Sequence, residues 1–301
     1  MISPLSPAHQ NFLTGLTQIQ QRLTNDQLQL TSGLKINNVS DAPNEIADLW
    51  QTQSELGQVQ QIDTNLGQVQ TEVNTAESAL QSAVTLVQRA ETLGTEGATA
   101  TSDATTRQNL AGELGSILQE LVASANTEVA GRFIFSGDAD QTQPYSIDLT
   151  QASPISAYQG ASSTREIQSP DGTTFPIALT AQQIFDSANA QDNVFSSINN
   201  LMQGLINNDS TAITSSITDV QTADTYLNQQ LAFYGTVQDR VDNSLNFGQN
   251  YAVQLQTQIS GVQDANEAQS ITDMTEAQTQ MQAALQSEAQ LPKTTLFDFM
   301  G

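Results

Sequence analysis

The residue types that most often carry catalysis are scarce in this chain. Its 301 residues contain no cysteine and a single histidine, His9. A Ser–His or Cys–His nucleophile requires a histidine that partner groups hold in place. His9 lies in the segment PAHQNF, which supplies neither a nucleophile nor an orienting group. The sequence therefore predicts a protein that is not an enzyme.

Two further motifs could bind an ion or a nucleotide, and both have simpler explanations. Asp138 and Asp140 match the start of a calcium loop, but the third acid, the glycine and the final glutamate of that loop are missing. Aspartates in such a position also form turns. The glycines near Gly94 and Gly112 lack the lysine of a P-loop and the strand that precedes a dinucleotide fingerprint. We expect no metal and no cofactor.

The charge of the chain argues against two classes of partner. Its 32 acidic and 8 basic residues give a formal net charge of −24. Nucleic acids and anionic membranes bind through clustered positive charge, so neither is expected as a partner. The polar residues are mostly Gln, Asn, Thr and Ser, which can pack side by side without placing like charges together. This composition suits repeated self-contact, and it equally suits an ordinary solvated surface.

The first residues do not have the composition of a secretion signal. No apolar stretch precedes Arg22, which is the first basic residue. No segment approaches the roughly 20 apolar residues of a membrane span. We therefore expect a protein that is soluble when made and that, if exported, leaves the cell without a cleaved signal peptide.

The strongest pattern is a heptad seam between residues 59 and 90. Apolar residues recur at alternating spacings of three and four, which predicts a coiled-coil-like helix. Gly94 and Gly97 are expected to break this helix, and Gly131 is expected to end a second helix that follows. The seam residues are Val59, Ile62, Leu66, Val69, Val73, Ala76, Leu80, Ala83, Val87 and Ala90, and those of the second helix are Leu110, Leu114, Ile117 and Leu121.

The pattern changes at GRFIFSGDADQTQPY, where apolar residues alternate and a proline follows. Alternation, glycines and a PDG turn predict short strands and hairpins in a small β-rich insert. Helical spacing returns at Val194 and continues through a long helix that carries Leu227 to Val262.

Both ends of the chain carry narrow helical seams that polar residues interrupt. Asp26 or Gln27 fills a gap near the start, and Gln278 fills one near the end. A single helix of this kind is marginally stable in water. The two end helices are therefore expected to pair with each other and to pair better within a larger assembly. The residues expected at this assembly interface are Leu5, Phe12, Leu16, Ile19, Leu23, Ile271, Met274, Met281, Leu285, Phe297 and Phe299.

A joint follows the first helix, in SGLKINNVSDAPNEIADL. Gly33 is expected to end the first helix, Asp41 to cap the next one, and Pro43 to lie in its first turn. The joint is either a plain loop or a hinge formed by these three residues. Trp50, just beyond it, is interpreted as a packing residue near a helix start.

The predicted fold is mainly α: an elongated, coiled-coil-like helical bundle formed by both chain ends, with a small inserted β-rich domain. We assign residues 1–42 and 255–301 to a terminal helical assembly domain. Residues 43–137 and 187–254 form the helical bundle shaft, and residues 138–186 form the β-rich insert.

The joint resembles the N-terminal signature of the bacterial flagellin family, except that Ala42 replaces the second of two aspartates. GRFIFSGDADQTQPY resembles a segment typical of the hook-associated branch of this family, and the segment from 264 to 301 resembles its C-terminal helix and end. The matching residues of the joint are Ser32, Gly33, Leu34, Ile36, Asn37, Ser40 and Asp41. Those in and around the insert are Gly131, Arg132, Phe133, Phe135, Gly137, Thr142, Pro144, Tyr145, Tyr158, Gly160, Arg165, Ile184 and Phe185.

This resemblance implies a structural subunit of the bacterial flagellum that acts as an adaptor at the hook–filament junction. The implied partners are further copies of the chain in a ring or tube, another hook-associated junction protein, flagellin and an export chaperone. Export would follow the flagellar type III route. Two alternatives stay open, namely a filament-forming flagellin and a secreted coiled-coil scaffold unrelated to flagella.

Overall fold

The computed structural model describes residues 7–151 and 153–290, and within them the chain is mainly helical. Short antiparallel hairpins interrupt the helices in the middle of the chain. The helices are α1 (Pro7–Ser32), α2 (Ile46–Ala98), α3 (Ala104–Ala125), α4 (Ala181–Phe185), α5 (Val194–Ile206), α6 (Ser210–Gln263) and α7 (Glu267–Gln290). The strands are β1 (Glu128–Val129), β2 (Arg132–Phe133), β3 (Glu166–Gln168) and β4 (Thr174–Pro176).

The chain divides into two compact units. Unit 1 combines Met1–Gln58 with Tyr251–Gly301, and unit 2 is Val59–Asn250. Helices α2 and α6 each contribute residues to both units. No helix in the described part of the chain combines the length and the apolarity that a membrane span requires.

The core of unit 2 confirms the predicted seam of α2. Nine of its ten apolar residues are buried, and Ile62 is partly buried against the same core. The predicted apolar residues of α3 are buried as well, and so is Val194, where helical spacing returns in α5. Burial of one face per helix at a spacing of three and four is what an amphipathic helix contributes to a bundle. The predicted mainly helical bundle with a small β insert is thereby confirmed.

The prediction that Gly94 and Gly97 break the helix is wrong, because α2 continues to Ala98. Both glycines are buried where α5 approaches. A Cβ at Gly94 would lie 2.9 Å from Leu201 Cδ2, and one at Gly97 would lie 2.3 Å from Leu205 Cδ2. The two glycines thus give α5 room to pack, and the tertiary contact outweighs their low helix propensity.

The prediction that Gly131 ends the second helix is also wrong. Helix α3 ends at Ala125, and β1 and β2 follow as a hairpin in which Glu128 faces Phe133. Gly131 lies in the turn of this hairpin with φ +75°. The second hairpin pairs β3 with β4, so that Ile167 faces Phe175.

Aromatic side chains join this hairpin region to the helices of unit 2. The Phe135 ring meets the rings of Phe185 and Tyr234 edge-on, at centroid distances of 6.4 and 6.1 Å. All three side chains are buried. Such edge-to-face pairs stabilise by about 0.5–1.5 kcal/mol beyond the burial of their area.

An ionic cluster around one buried glutamate, here called the Glu72 clamp, consists of Glu72, Arg132 and Arg165. Glu72 lies on α2 and is buried. Arg132 Nη2 donates to its Oε1 at 2.5 Å, and Arg165 Nη2 donates to its Oε2 at 2.5 Å. Arg132 belongs to β2 and Arg165 immediately precedes β3, so one carboxylate holds both hairpins against α2. Both arginines belong to the motifs that resemble the flagellin family, whereas no sequence motif points to Glu72.

Candidate assembly interface

Helices α1 and α7 of unit 1 pack against each other in opposite directions. Near the start of α1, His9 Nε2 lies 2.9 Å from Glu288 Oε1, near the end of α7. Near the end of α1, Gln29 Oε1 accepts a hydrogen bond of 3.3 Å from Ser270 Oγ, near the start of α7. These two contacts fix the register of an antiparallel pair.

The covered face of α1 agrees with its predicted seam up to Asp26, but Leu30, which the same heptad frame includes, is 37% exposed and Gln29 is half-buried instead. The polar gap of that seam is filled by Asp26, which is half-buried, whereas Gln27 is exposed. The half-buried apolar residues of this face are Phe12, Leu16, Ile19 and Leu23.

The covered face of α7 differs from its predicted seam. Met274 and Met281 are half-buried as expected, but the gap between them is closed by Ala277, which is 4% exposed, while Gln278 is exposed. The sequence allows either Ala277 or Gln278 to face α1 between the two methionines, and the small side chain of Ala277 permits the closer approach of α1.

Two residues predicted for the assembly interface stay uncovered within the chain. Ile271 and Leu285 are each 49% exposed. Leu13 and Leu28 of α1, which sequence reasoning missed, are similarly exposed. Leu5, Phe297 and Phe299 lie outside the described residues.

The register of the α1–α7 pair places these exposed residues at two levels. Leu13 follows His9 by one turn and lies at the level of Leu285, one turn before Glu288. Leu28 adjoins Gln29 and lies at the level of Ile271, which adjoins Ser270. Each end of the pair therefore carries uncovered apolar side chains from both helices.

Trp50 is not the packing residue that the sequence analysis expected. It is more than half exposed, as is Val253 on α6. Single exposed apolar residues are ordinary, but several within one unit are typical of a surface that contacts another protein.

The joint between α1 and α2 is paired with the joint between α6 and α7. Lys35 N donates to Gln263 O at 2.7 Å, and Ala265 N donates to Gly33 O at 2.9 Å. Leu34 and Asp264 lie between these bonds as an antiparallel bridge. Gly33 ends α1 as predicted, with φ +72°, a conformation that glycine adopts without strain.

The predicted helix cap by Asp41 is wrong. Its carboxylate accepts hydrogen bonds from the preceding amides, Asn37 N at 3.0 Å and Asn38 N at 2.7 Å. Helix α2 begins only at Ile46, and Pro43 lies in the turn that precedes it. Aspartate commonly closes a local turn in this way. The amides of Asn37 and Asn38 compete with the amides at a helix start for the carboxylate of Asp41. A hinge at Gly33, Asp41 and Pro43 stays a prediction.

Asp26 is the polar residue on the covered face of α1 whose charge opposes pairing. Partial burial raises the pKa of its carboxyl above the ordinary value, and the negative charge of Asp273 on α7 raises it further. Arg22, one turn away on α1, lowers it in part. Asp26 and Asp273 lie at one level, because each is three residues from the bonded pair of Gln29 and Ser270.

The raised pKa predicts that the contribution of Asp26 to the pairing of α1 with α7 is most favourable in acid. The paired state holds the Asp26 proton more tightly than the separated state. The stability that Asp26 contributes is therefore fully present below the unfolded pKa of about 3.9 and is lost as the pH rises through the higher folded value. We expect Asp26→Asn to increase hydrogen-exchange protection of residues 12–30 at pH 7.

At a pH well below about 3.9, the same Asp26→Asn substitution should have no effect on hydrogen-exchange protection, because Asp26 is already protonated there. The matched control is Asp239→Asn, which changes an exposed aspartate of α6. A gain in protection that is equally large in acid, or that the control reproduces, would contradict this account.

The fold defined by these features is a mainly helical bundle whose first and last helices pair. Two family models match this chain: the bacterial flagellin N-terminal helical region over residues 5–140, and the bacterial flagellin C-terminal helical region over residues 217–300. Together they cover well over half of the sequence, including both joints. The chain belongs to the bacterial flagellin family.

Several solved structures share the fold at low sequence identity. A candidate flagellar hook-associated protein of Vibrio parahaemolyticus is 18% identical, with a TM-score of 0.66 over 74% of this chain and 100% of that one. Flagellar hook-associated protein 3 of Legionella pneumophila is 12% identical, with a TM-score of 0.61 over 70% and 98%. FlgL of Bacillus cereus is 19% identical, with a TM-score of 0.55 over 71% and 100%. No curated protein sequence matches the chain.

Proposed function

We propose that this chain is a structural subunit of the bacterial flagellum that connects the hook to the filament. Family membership supports the flagellar role. Solved structures that share its fold are named as hook-associated proteins, which supports the junction role. The observation that carries the assembly role is the exposure of Ile271 and Leu285 on a helix of which the adjoining face is already covered by α1.

In this proposal α1 and α7 pack with the same helices of neighbouring copies. Burial of a large apolar side chain stabilises by about 1.5–3 kcal/mol relative to exposure, and each copy offers several. The surrounding Gln, Thr and Ser residues lie close to neighbouring copies without the repulsion that a surface of acids would cause. Weak individual contacts then add up around a ring or tube of identical subunits.

The further partners are proposed on the same basis. They are another hook-associated junction protein, flagellin and a cytoplasmic export chaperone, with export by the flagellar type III route. The proposed assembly domain comprises residues 1–42 and 255–301, the shaft comprises 43–137 and 187–254, and the insert comprises 138–186.

The assembly surface can be tested by placing charge on it. We expect the double variant Ile271→Asp, Leu285→Asp to fold normally but to fail to restore motility in a strain of the source bacterium that lacks its own gene. Burial of an unpaired carboxylate at a subunit contact costs several kcal/mol, which outweighs the apolar contact that it replaces. Swimming and the retention of filaments on the cells are the measurements.

The matched control is Ile206→Asp, which changes a similarly exposed apolar residue at the end of α5 in unit 2. It should restore motility. Normal swimming with firmly attached filaments in the double variant would show that this face of α7 is not an assembly surface.

The purified chain can also distinguish a junction subunit from a flagellin. A junction subunit should form short assemblies or none, whereas a flagellin should form long filaments. Electron microscopy of the concentrated protein makes this comparison directly.

A further inference from the structure

We infer that the two joints of unit 1 form one coupled element, so that loosening either joint loosens both α1 and α7. This element, here called the joint bridge, consists of residues 33–36 and 263–265. The coupling follows from the structure alone. Its importance for assembly rests on the proposed function, because α1 and α7 carry the proposed assembly surface.

The bonds of the joint bridge are reciprocal. Gly33 supplies an acceptor to Ala265, and Lys35 supplies a donor to Gln263. Ile36 N makes a longer bond of 3.4 Å to the same carbonyl of Gln263. Each joint thus gives and receives hydrogen bonds, and neither can change its backbone path without breaking bonds of the other.

Side chains reinforce the joint bridge from both sides. Ile36 is buried, at 3% exposure, so displacing the first joint would expose apolar surface. Gln29 of α1 donates to Lys35 O at 3.5 Å and accepts from Ser270 Oγ at 3.3 Å. Gln53 Nε2 of α2 donates to Gln263 Oε1 at 3.3 Å. All four helices of unit 1 therefore contact the joint bridge or adjoin it.

The two joints differ in length, so the longer one depends most clearly on the bonds between them. Only residues 264–266 separate α6 from α7, and Asn266 accepts a hydrogen bond of 3.2 Å from Gln269 N at the start of α7. Residues 33–45 separate α1 from α2, and a joint of that length alone leaves the helix free to point in many directions. Bonding to the short joint restricts α1, and the same bonds hold the start of α7 in place.

The consequence for assembly is that a copy presents its two terminal helices to neighbours as one body. If the helices moved independently, both would lose orientational freedom separately on binding. A coupled pair loses that freedom once, which favours the assembled state.

The coupling is tested by straining one joint and measuring the other. In Gly33→Ala the added Cβ meets no atom within 4 Å, so the strain acts only through the positive φ of the backbone. We expect amide exchange to become about three- to tenfold faster at residues 28–36 and, equally, at Ala265 and along α7. The full-length chain is used throughout.

The reciprocal variant is Ala265→Pro, which removes the amide that donates to Gly33 O. It should accelerate exchange at residues 28–36 by a similar factor. The matched control is Gly15→Ala, which adds a methyl group to α1 where no atom lies within 4 Å. It should leave exchange at both joints unchanged or slower.

Acceleration confined to the substituted joint would overturn the coupling. Unprotected amides of Lys35 and Ala265 in the unchanged chain would overturn the joint bridge itself. Neither exchange measurement depends on motility. If exchange at the two joints is coupled but the unchanged chain does not support swimming, only the junction role is contradicted.

Discussion

Glu72→Ala is expected to destabilise unit 2 by about 1.5–3 kcal/mol, because it removes the carboxylate that accepts charged hydrogen bonds from two partly exposed arginines. Glu72 is buried and uses both carboxylate oxygens in the clamp. Without it, the two guanidinium groups lose the carboxylate that they share, and Arg132 keeps only a longer contact of 3.8 Å to Asp140. Glu72→Gln keeps the volume but not the charge, and it should cause a smaller loss.

Denaturant unfolding followed by circular dichroism measures this loss as a lower midpoint. The matched control is Glu113→Ala, which breaks an exposed ion pair with Arg89 and should change stability by only about 0–1 kcal/mol. If Glu72→Ala lowered the midpoint no more than the control does, the clamp would contribute no more to the stability of unit 2 than an exposed ion pair. Resistance to proteolysis at the two hairpins gives an independent measure.

Gly137→Ala should cost about 2–5 kcal/mol, through two effects that add. Gly137 has φ +62°, a left-handed conformation in which alanine is strained by roughly 1–2 kcal/mol. The new Cβ would also lie 2.4 Å from Ala161 O and 2.5 Å from Ser163 O. Both are backbone atoms, so relief requires moving the chain, and overpacking of this kind costs about 1–3 kcal/mol.

The matched control for Gly137→Ala is Gly112→Ala, which lies in α3 with no atom within 4 Å of the added methyl group. It should raise stability by up to about 1 kcal/mol, since alanine favours a helix interior. Thermal melting compares the two directly. A neutral Gly137→Ala would mean that residues 161–163 do not lie against Gly137 in solution.

The helices of unit 2 could be predicted from the sequence because burial on one face repeats along each of them. Between Val59 and Ala90 this repeat is unbroken, and the structure buries nearly all of it. Gly94 and Gly97 show where local reasoning fails. Their low propensity predicts a break, but the approach of Leu201 and Leu205 requires small residues at those points.

The pairing of α1 with α7 was predictable in outline and not in register. The spacing of Met274 and Met281 identified the right helix, but the choice between Ala277 and Gln278 depends on α1, which packs against it. Asp41 posed a similar problem, because both an upstream turn and a downstream helix offer amides to one carboxylate.

The Glu72 clamp was not predictable from local patterns. The partners of Glu72 lie 60 and 93 residues further along the chain. In the heptad pattern, Glu72 is an ordinary polar residue next to the seam residue Val73. Only the fold brings the three residues together, and no spacing rule for helices or strands connects them.

The placement of the clamp also limits how this protein can be re-engineered. Arg165 lies within the segment 138–186, whereas Glu72 and Arg132 lie outside it. Replacing residues 138–186 with a foreign segment would keep Glu72 and Arg132 but remove Arg165. A chimera would therefore need a cationic side chain at the matching place, and display of new sequences would be safest in the PDG turn at residues 170–172, away from this contact.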